Sequence, residues 1–230
     1  MRLKIMFKTK INNPKPSWMP YFAIYLFLLA LSGCAQLFSA DSKTMDKDDH
    51  EAWLGATCAV VKMTNDTLET GNEQFQVCQP ETWGAAKKVV GIKHLYITSQ
   101  PDSETFDIAR EKGIELVINL RDHREVTWDE KKAVNQAGLN YYNLPISASG
   151  ESFDPDIINQ ISELVQQHKD KKILMHCSSG NRASAWLAIH MANDHNMQSD
   201  AAISLAKKVG LTSPVITQRI LRYLQGSVEN

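Results

Sequence analysis

The residues with the clearest chemical potential are Cys177 and Arg182, in the run His176-Cys177-Ser178-Ser179-Gly180-Asn181-Arg182. The run follows a short apolar stretch, Ile173 to Met175, of the kind a buried parallel strand needs. It leads into Ala183 to Met191, which has helical spacing and no breaker. A strand that feeds a tight loop and then a helix aims several backbone N–H groups at one point, with the positive end of the helix dipole behind them. Such a loop binds an oxyanion and favours the thiolate of a cysteine placed at its start. The chemistry is displacement at phosphorus. Cys177 attacks, while Arg182 and the N–H groups of Ser178, Ser179, Gly180 and Asn181 hold the phosphate oxygens, and water then hydrolyses the phosphocysteine. An arginine suits this task because its planar fork matches two phosphate oxygens. Gly180 allows a positive φ or a close backbone approach, and Ser179, Ser184 and Asn181 offer hydroxyl or amide support. A lone cysteine would read as a small buried residue ending a strand. The cysteine, glycine and arginine together between strand and helix argue for the site.

These residues need elements to hold them, and the pattern from Gly91 onward supplies them. His94–Thr98, Ile114–Leu120 and Leu139–Leu144 read as strands ahead of the one that enters Cys177. Between them, Asp102 or Ser103 caps a helix to about Lys112, and Thr127 caps one to about Ala137; each is followed by a glycine, Gly113 or Gly138. Asp154-Pro155 caps a helix to about His168, with Ile157, Ile158, Ile161, Leu164 and Val165 on one face. Ser199 caps a helix to about Val209, and Ser213-Pro214 opens the last one. Alternating strands and helices predict an α/β domain over residues 91–225, with a mainly parallel sheet flanked by helices. Ligands of such sheets bind beyond the carboxyl ends of the strands, where the Cys177 loop and the charged run Arg121-Asp122-His123-Arg124-Glu125 both fall.

The 230 residues carry a formal net charge of -1. Five of the basic residues, Arg2, Lys4, Lys8, Lys10 and Lys15, lie in the first 33 positions; without them 20 basic residues face 26 acidic ones, a balance of −6. A mildly acidic body lacks the electrostatic footprint of a nucleic-acid binder. The seven histidines show no ligand spacing with acids or cysteines, so no metal or other cofactor is expected.

Residues 1–33 have the order of a secretory signal: a basic segment, the apolar run Tyr21 to Leu31, then Ser32-Gly33. The run is shorter than the roughly 20 residues a membrane-spanning helix needs. Leu31-Ser32-Gly33-Cys34 resembles a bacterial lipoprotein signal, which implies acylation at Cys34, attachment to a membrane through that anchor and exposure to the periplasm. Ala35, where an aspartate would favour the inner membrane in that family, points to the outer one. Residues 34–50 read as a tether and 51–90 as an extension of weak pattern, with Ala59-Val60-Val61 as a short strand and Thr64-Asn65-Asp66-Thr67 as a turn. With Cys34 given to lipid and Cys177 to chemistry, Cys58 and Cys78 are left to pair in an oxidising compartment or to stay as two buried thiols.

His176-Cys177-x-x-Gly180-x-Arg182, with Ile118-Asn119-Leu120-Arg121, Tyr141-Tyr142-Asn143-Leu144-Pro145 and Ser99-Gln100-Pro101, resembles the cysteine-dependent tyrosine and dual-specificity phosphatases. It is most similar to their bacterial beta-lactamase-hydrolase-like phosphatase-like branch, over roughly Lys93 to Tyr223. The resemblance implies metal-independent phosphomonoester hydrolysis of a phosphorylated protein or small molecule, with Cys177 as nucleophile and Arg182 on the phosphate. Two departures stand out. The wider superfamily places five residues between cysteine and arginine, and this chain has four, as the bacterial branch does. The superfamily's aspartate general acid belongs on the loop after the third strand, where Ile146 to Ser152 offers only Glu151, ahead of the helix-capping Asp154. Asp122 and Glu125 are the other rim acids, and Asp122 is the candidate general acid. The four-residue spacing is shared with rhodaneses, which carry a persulfide on the loop cysteine, but the Asn119-Leu120-Arg121 strand end fits the phosphatase pattern. A silent phospho-ligand-binding module is the third reading.

Overall fold

The computed structural model describes residues 58–62 and 74–226. The signal segment, Cys34, the tether and the turn at Thr64 to Thr67 lie outside the described residues.

In chain order the elements are β1 (Cys58–Lys62), β2 (Gln74–Cys78), β3 (Glu81–Trp83), β4 (Ala86–Ile92), β5 (Leu95–Thr98), α1 (Ser103–Glu111), β6 (Ile114–Asn119), α2 (Glu130–Gln136), β7 (Asn140–Asn143), α3 (Pro155–Gln167), β8 (Lys172–His176), α4 (Asn181–Asp194), α5 (Ser199–Val209) and α6 (Pro214–Gly226). A 3₁₀ turn, His123–Glu125, precedes α2. The strands form one sheet in the order β1-β2-β4-β5-β8-β6-β7, with β3 added on β4. The α/β class is as expected, and the sheet is mixed. Strands β5, β8, β6 and β7 run parallel. Strands β1 to β4 extend the β5 flank by antiparallel pairing.

Both faces of β5, β6 and β8 are covered, so these strands are largely apolar instead of alternating with polar residues, whereas the edge strand β7 is mostly exposed. Period two sends successive side chains to opposite cores. From β8, Ile173 and Met175 join the larger core with Trp186, Leu187, Leu205 and Ile220, while Leu174 joins the smaller one with Phe106, Val134 and Trp83. Helix α4 is buried nearly all round, from Arg182 to Met191, because it is packed under both α5 and α6. A helix so placed is held rigidly, which suits an element that carries a site arginine.

Three local readings change. Helix α2 begins at Glu130 under an Asp129 cap, because the chain after Arg121 spends residues 123–125 on the 3₁₀ turn; Thr127 caps nothing there. The residue at the cap of α5 is Gln198, with no side-chain cap bond, and Ser199 is the first helical residue. The weakly patterned stretch before Gly91 holds strands β2, β3 and most of β4. Its polar alternation, as in Gln74-Phe75-Gln76-Val77-Cys78, is what an outer antiparallel strand shows.

Cys58 and Cys78 face each other across β1 and β2 and are joined by a disulfide. The bridge closes a 20-residue separation, which on the chain-entropy model stabilises the fold by about 3 kcal/mol. Replacing both cysteines by alanine is expected to lower the unfolding free energy from urea denaturation by an amount of that order; an unchanged value would show that the bridge makes no contribution to global stability.

Candidate active site

The site is assembled where the carboxyl ends of β6, β7 and β8 meet. Cys177 follows the last residue of β8 and, among the described residues, carries the free thiol; it is fully buried. The loop from Ser178 to Gly180 arches over it, and the Gly180 N–H donates to Cys177 Sγ at 3.1 Å. That close return requires the left-handed backbone of Gly180, φ 86°, which also serves as the cap of α4. A Cβ there would sit 3.5 Å from the Thr98 carbonyl, so the space tolerates a methyl group and the positive φ does not. The loop is tied to its neighbours by main-chain bonds: Gln100 N–H to the Ser178 carbonyl at 3.3 Å and Leu120 N–H to the His176 carbonyl at 2.9 Å.

Asn181 fixes the far side of the loop. Its Oδ1 accepts from the N–H groups of Thr212 and Ser213, both at 2.8 Å, and its Nδ2 donates to Ser179 Oγ at 3.1 Å. Ser178 and Ser179 are exposed at the rim.

Arg182 is 4% exposed, yet its guanidinium is well supplied with acceptors. Nη1 donates to Glu125 Oε1 at 2.8 Å, to the Ile146 carbonyl at 2.9 Å and to the Leu120 carbonyl at 3.3 Å. Nη2 donates to Glu125 Oε2 at 2.7 Å and to Ser178 Oγ at 3.3 Å. Burial opposes the charge of Arg182, but the Glu125 carboxylate and the nearby Cys177 sulfur outweigh it and raise its pKa further. In turn, the bond from Arg182 holds the Glu125 carboxyl below its ordinary value. Sequence spacing alone did not pair these two residues.

Beneath the loop lies a second knot with a buried centre. Glu130, 2% exposed, receives His176 Nε2 at 3.1 Å and Asn119 Nδ2 at 2.7 Å on Oε1, and Gln100 Nε2 on Oε2. A carboxylate only accepts, so the proton of the His176 contact is on Nε2. Gln100 in turn accepts from Arg121 Nη1, and Asn119 Oδ1 accepts from the Arg121 N–H. Burial opposes ionisation of Glu130, but the bonds from His176 and Gln100 more than compensate and its pKa is lowered. Tyr141, beside the same knot, is pushed up to about 12, chiefly by burial and then by the negative charge of Glu130.

Asp122, the sequence candidate for general acid, has a different task. It caps the 3₁₀ turn through the Arg124 N–H at 2.9 Å and pairs with Arg124 Nε at 2.8 Å. Those bonds hold its carboxyl well below the usual range, the opposite of what a proton donor at neutral pH requires. Glu151 is exposed, and Asp154 caps α3 through the Asp156 N–H. Among the described residues no cluster of histidine, cysteine or acidic side chains has the grouping of a metal site.

The buried knot makes a direct forecast. Glu130→Ala strands buried donors that each cost about 1–3 kcal/mol when unpaired, so a loss of at least about 2 kcal/mol is expected in urea denaturation. Glu125 and Glu130 are both held below the ordinary glutamate value of 4.5 in the folded chain. Their stabilisation is therefore complete above that pH and is lost as pH falls through the depressed folded values. Unfolding free energy measured against pH is expected to drop below about pH 4.5, with a shallower drop in Glu130→Gln.

No family model matches the chain. A beta-lactamase hydrolase-like protein of Xylella fastidiosa is 29% identical over 129 residues, which are 54% of this chain; the chain spans 29% of that relative's length. Among solved structures, Tk-PTP in its active form superposes with a TM-score of 0.50 at 16% identity over 57% of this chain and 91% of its own. A DUF442 protein of Shewanella putrefaciens gives 0.46 at 20% identity over 58% of this chain and 87% of its own. The chain is thus similar in sequence to part of a beta-lactamase hydrolase-like protein and shares its α/β fold with Tk-PTP.

Proposed function

We propose that this chain is a metal-independent phosphomonoester hydrolase of the protein-tyrosine or dual-specificity type. The observation that carries the reading is the meeting of Cys177 Sγ, the Gly180 N–H at 3.1 Å and the guanidinium of Arg182 in one strand-to-helix loop. A dianionic phosphate placed over the sulfur meets the loop N–H groups and, as it takes the place of Glu125 on the guanidinium, Arg182, so these donors stabilise the negative charge that builds on its oxygens in the transition state. The sulfur attacks phosphorus in line with the departing oxygen, and water then releases phosphate from the phosphocysteine. Ser178, Ser179, Gly180 and Asn181 line the phosphate seat in this reading. The fold shared with Tk-PTP supports it, as does the similarity to the beta-lactamase hydrolase-like protein.

Phosphate release from an aryl phosphate by the purified chain is expected. Cys177→Ser should reduce it to background, and Arg182→Lys should cost on the order of 10²- to 10³-fold in kcat. Undiminished release from Cys177→Ser would overturn the reading. Thiocyanate formation from thiosulfate and cyanide would replace it with a sulfurtransferase, and neither product would leave a phospho-ligand-binding module.

The place of action we assign is the periplasmic face of the outer membrane, through a lipid anchor on Cys34. The motif Leu31-Ser32-Gly33-Cys34 after an apolar run supports this, and more than one acyl chain would make the attachment stable. Cys34→Ala is expected to move the protein out of the membrane fraction; unchanged fractionation would refute the anchor.

A further inference from the structure

Hydrolysis through Cys177 needs a proton for the departing oxygen, and most nearby acids are committed elsewhere. Asp122 and Asp154 cap helical turns, and Glu130 is sealed beneath His176. Glu125 completes the capping box by accepting from the Asp122 N–H, but its side-chain partner is Arg182 itself, held at 2.8 and 2.7 Å. It is also accessible, with its side chain 27% exposed at the rim. The geometry points to Glu125 as the general acid and base of the reaction, released for that task when phosphate engages Arg182. The inference rests on the phosphatase reading and supplies the proton donor that the polar loop Ile146 to Ser152 lacks.

Glu125 and a bound phosphate compete for one positive charge. The charged and titratable groups around Glu125 are Arg182 from α4, Cys177 behind it, and Arg121, Asp122 and Arg124 from its own loop. Arg121 Nε stands 3.7 Å from Oε2, and the Asp122 N–H donates to Oε1 at 3.1 Å. In the free site Arg182 is the dominant partner and keeps the carboxyl ionised. A phosphate dianion on the same guanidinium draws that positive charge away and places like charge beside the carboxylate. Both effects favour the protonated acid, which takes its proton from solvent as the substrate binds. Asp122 has no such coupling, because its partner is the exposed Arg124.

The proton account then closes. The Cys177 thiolate forms the S–P bond as the P–O ester bond breaks, and the electron pair of that bond leaves on oxygen. The Glu125 carboxyl gives its proton to this oxygen and becomes a carboxylate. In the second step the carboxylate takes a proton from water as its oxygen bonds phosphorus, the S–P bond breaks and its pair returns to sulfur. Thiolate and protonated Glu125 are restored, and no other reactant is consumed.

Leaving-group dependence separates this role from mere support of Arg182. Wild type and Glu125→Gln are compared on phenyl phosphate and phosphotyrosine, whose leaving oxygens need a proton, and on 2,4-dinitrophenyl phosphate, whose leaving oxygen does not. A loss in kcat/KM of about 10²- to 10⁴-fold on the first two, with less than about tenfold on the third and disappearance of the alkaline limb of kcat, is the expected result. An equal loss on all three substrates would make Glu125 a support for Arg182 and overturn the inference while leaving the phosphatase reading intact. A wild type that releases phosphate from none of them would overturn that reading, and this inference with it.

Discussion

The guanidinium of Arg182 is the point on which the candidate site depends. It reaches the ends of three parallel strands at once: Leu120 and Glu125 beyond β6, Ile146 beyond β7 and Ser178 beyond β8. A buried cation is costly unless it is paired and its donors are satisfied. Here the satisfied donors lock the rim loops to each other, and the helix that carries Arg182 is itself buried between core and outer helices. The same group that holds the rim together is thus pre-oriented for an anion.

Positioning of Cys177 comes from beneath. Strand β8 lies between β5 and β6, and the Glu130 knot ties residues at the ends of all three: Gln100 after β5, Asn119 at the end of β6 and His176 at the end of β8. A buried polar network whose central carboxylate is paired from three sides fixes one arrangement of its members, although His176 Nδ1 is left without a partner. The nucleophile begins one residue beyond that network, which explains why so short a loop can hold a thiol, an N–H donor and an arginine in register.

Much of this was legible in the chain. Periodicity marked α1, α3, α5, α6 and the strands from β5 onward, because both-face burial forces apolar runs and glycines end the helices. The strand–loop–helix around Cys177 was legible for the same reason, as was a Cys58 to Cys78 pairing left open by cysteine count. What escaped was polar and non-local. Glu130 looks like an ordinary first-turn helix acid, and its burial arises only when Gln100, Asn119 and His176 converge from distant positions. Asn119, a polar residue inside an apolar strand, was the one local hint. Asp122 and Glu125 could not be told apart by spacing, since a 3₁₀ turn of three residues decides which one faces Arg182. The antiparallel arm was obscured because its strands are short or half-exposed.

The central claim is that Cys177 becomes phosphorylated during turnover. Mixing the purified chain with an aryl phosphate, quenching in acid within the first turnover and mapping the modified peptide by mass spectrometry tests it most directly. The account predicts one phosphoryl group on Cys177, appearing with a burst of the aryl alcohol and decaying as phosphate is released. Steady phosphate release with Cys177 unmodified at every quench time would contradict it.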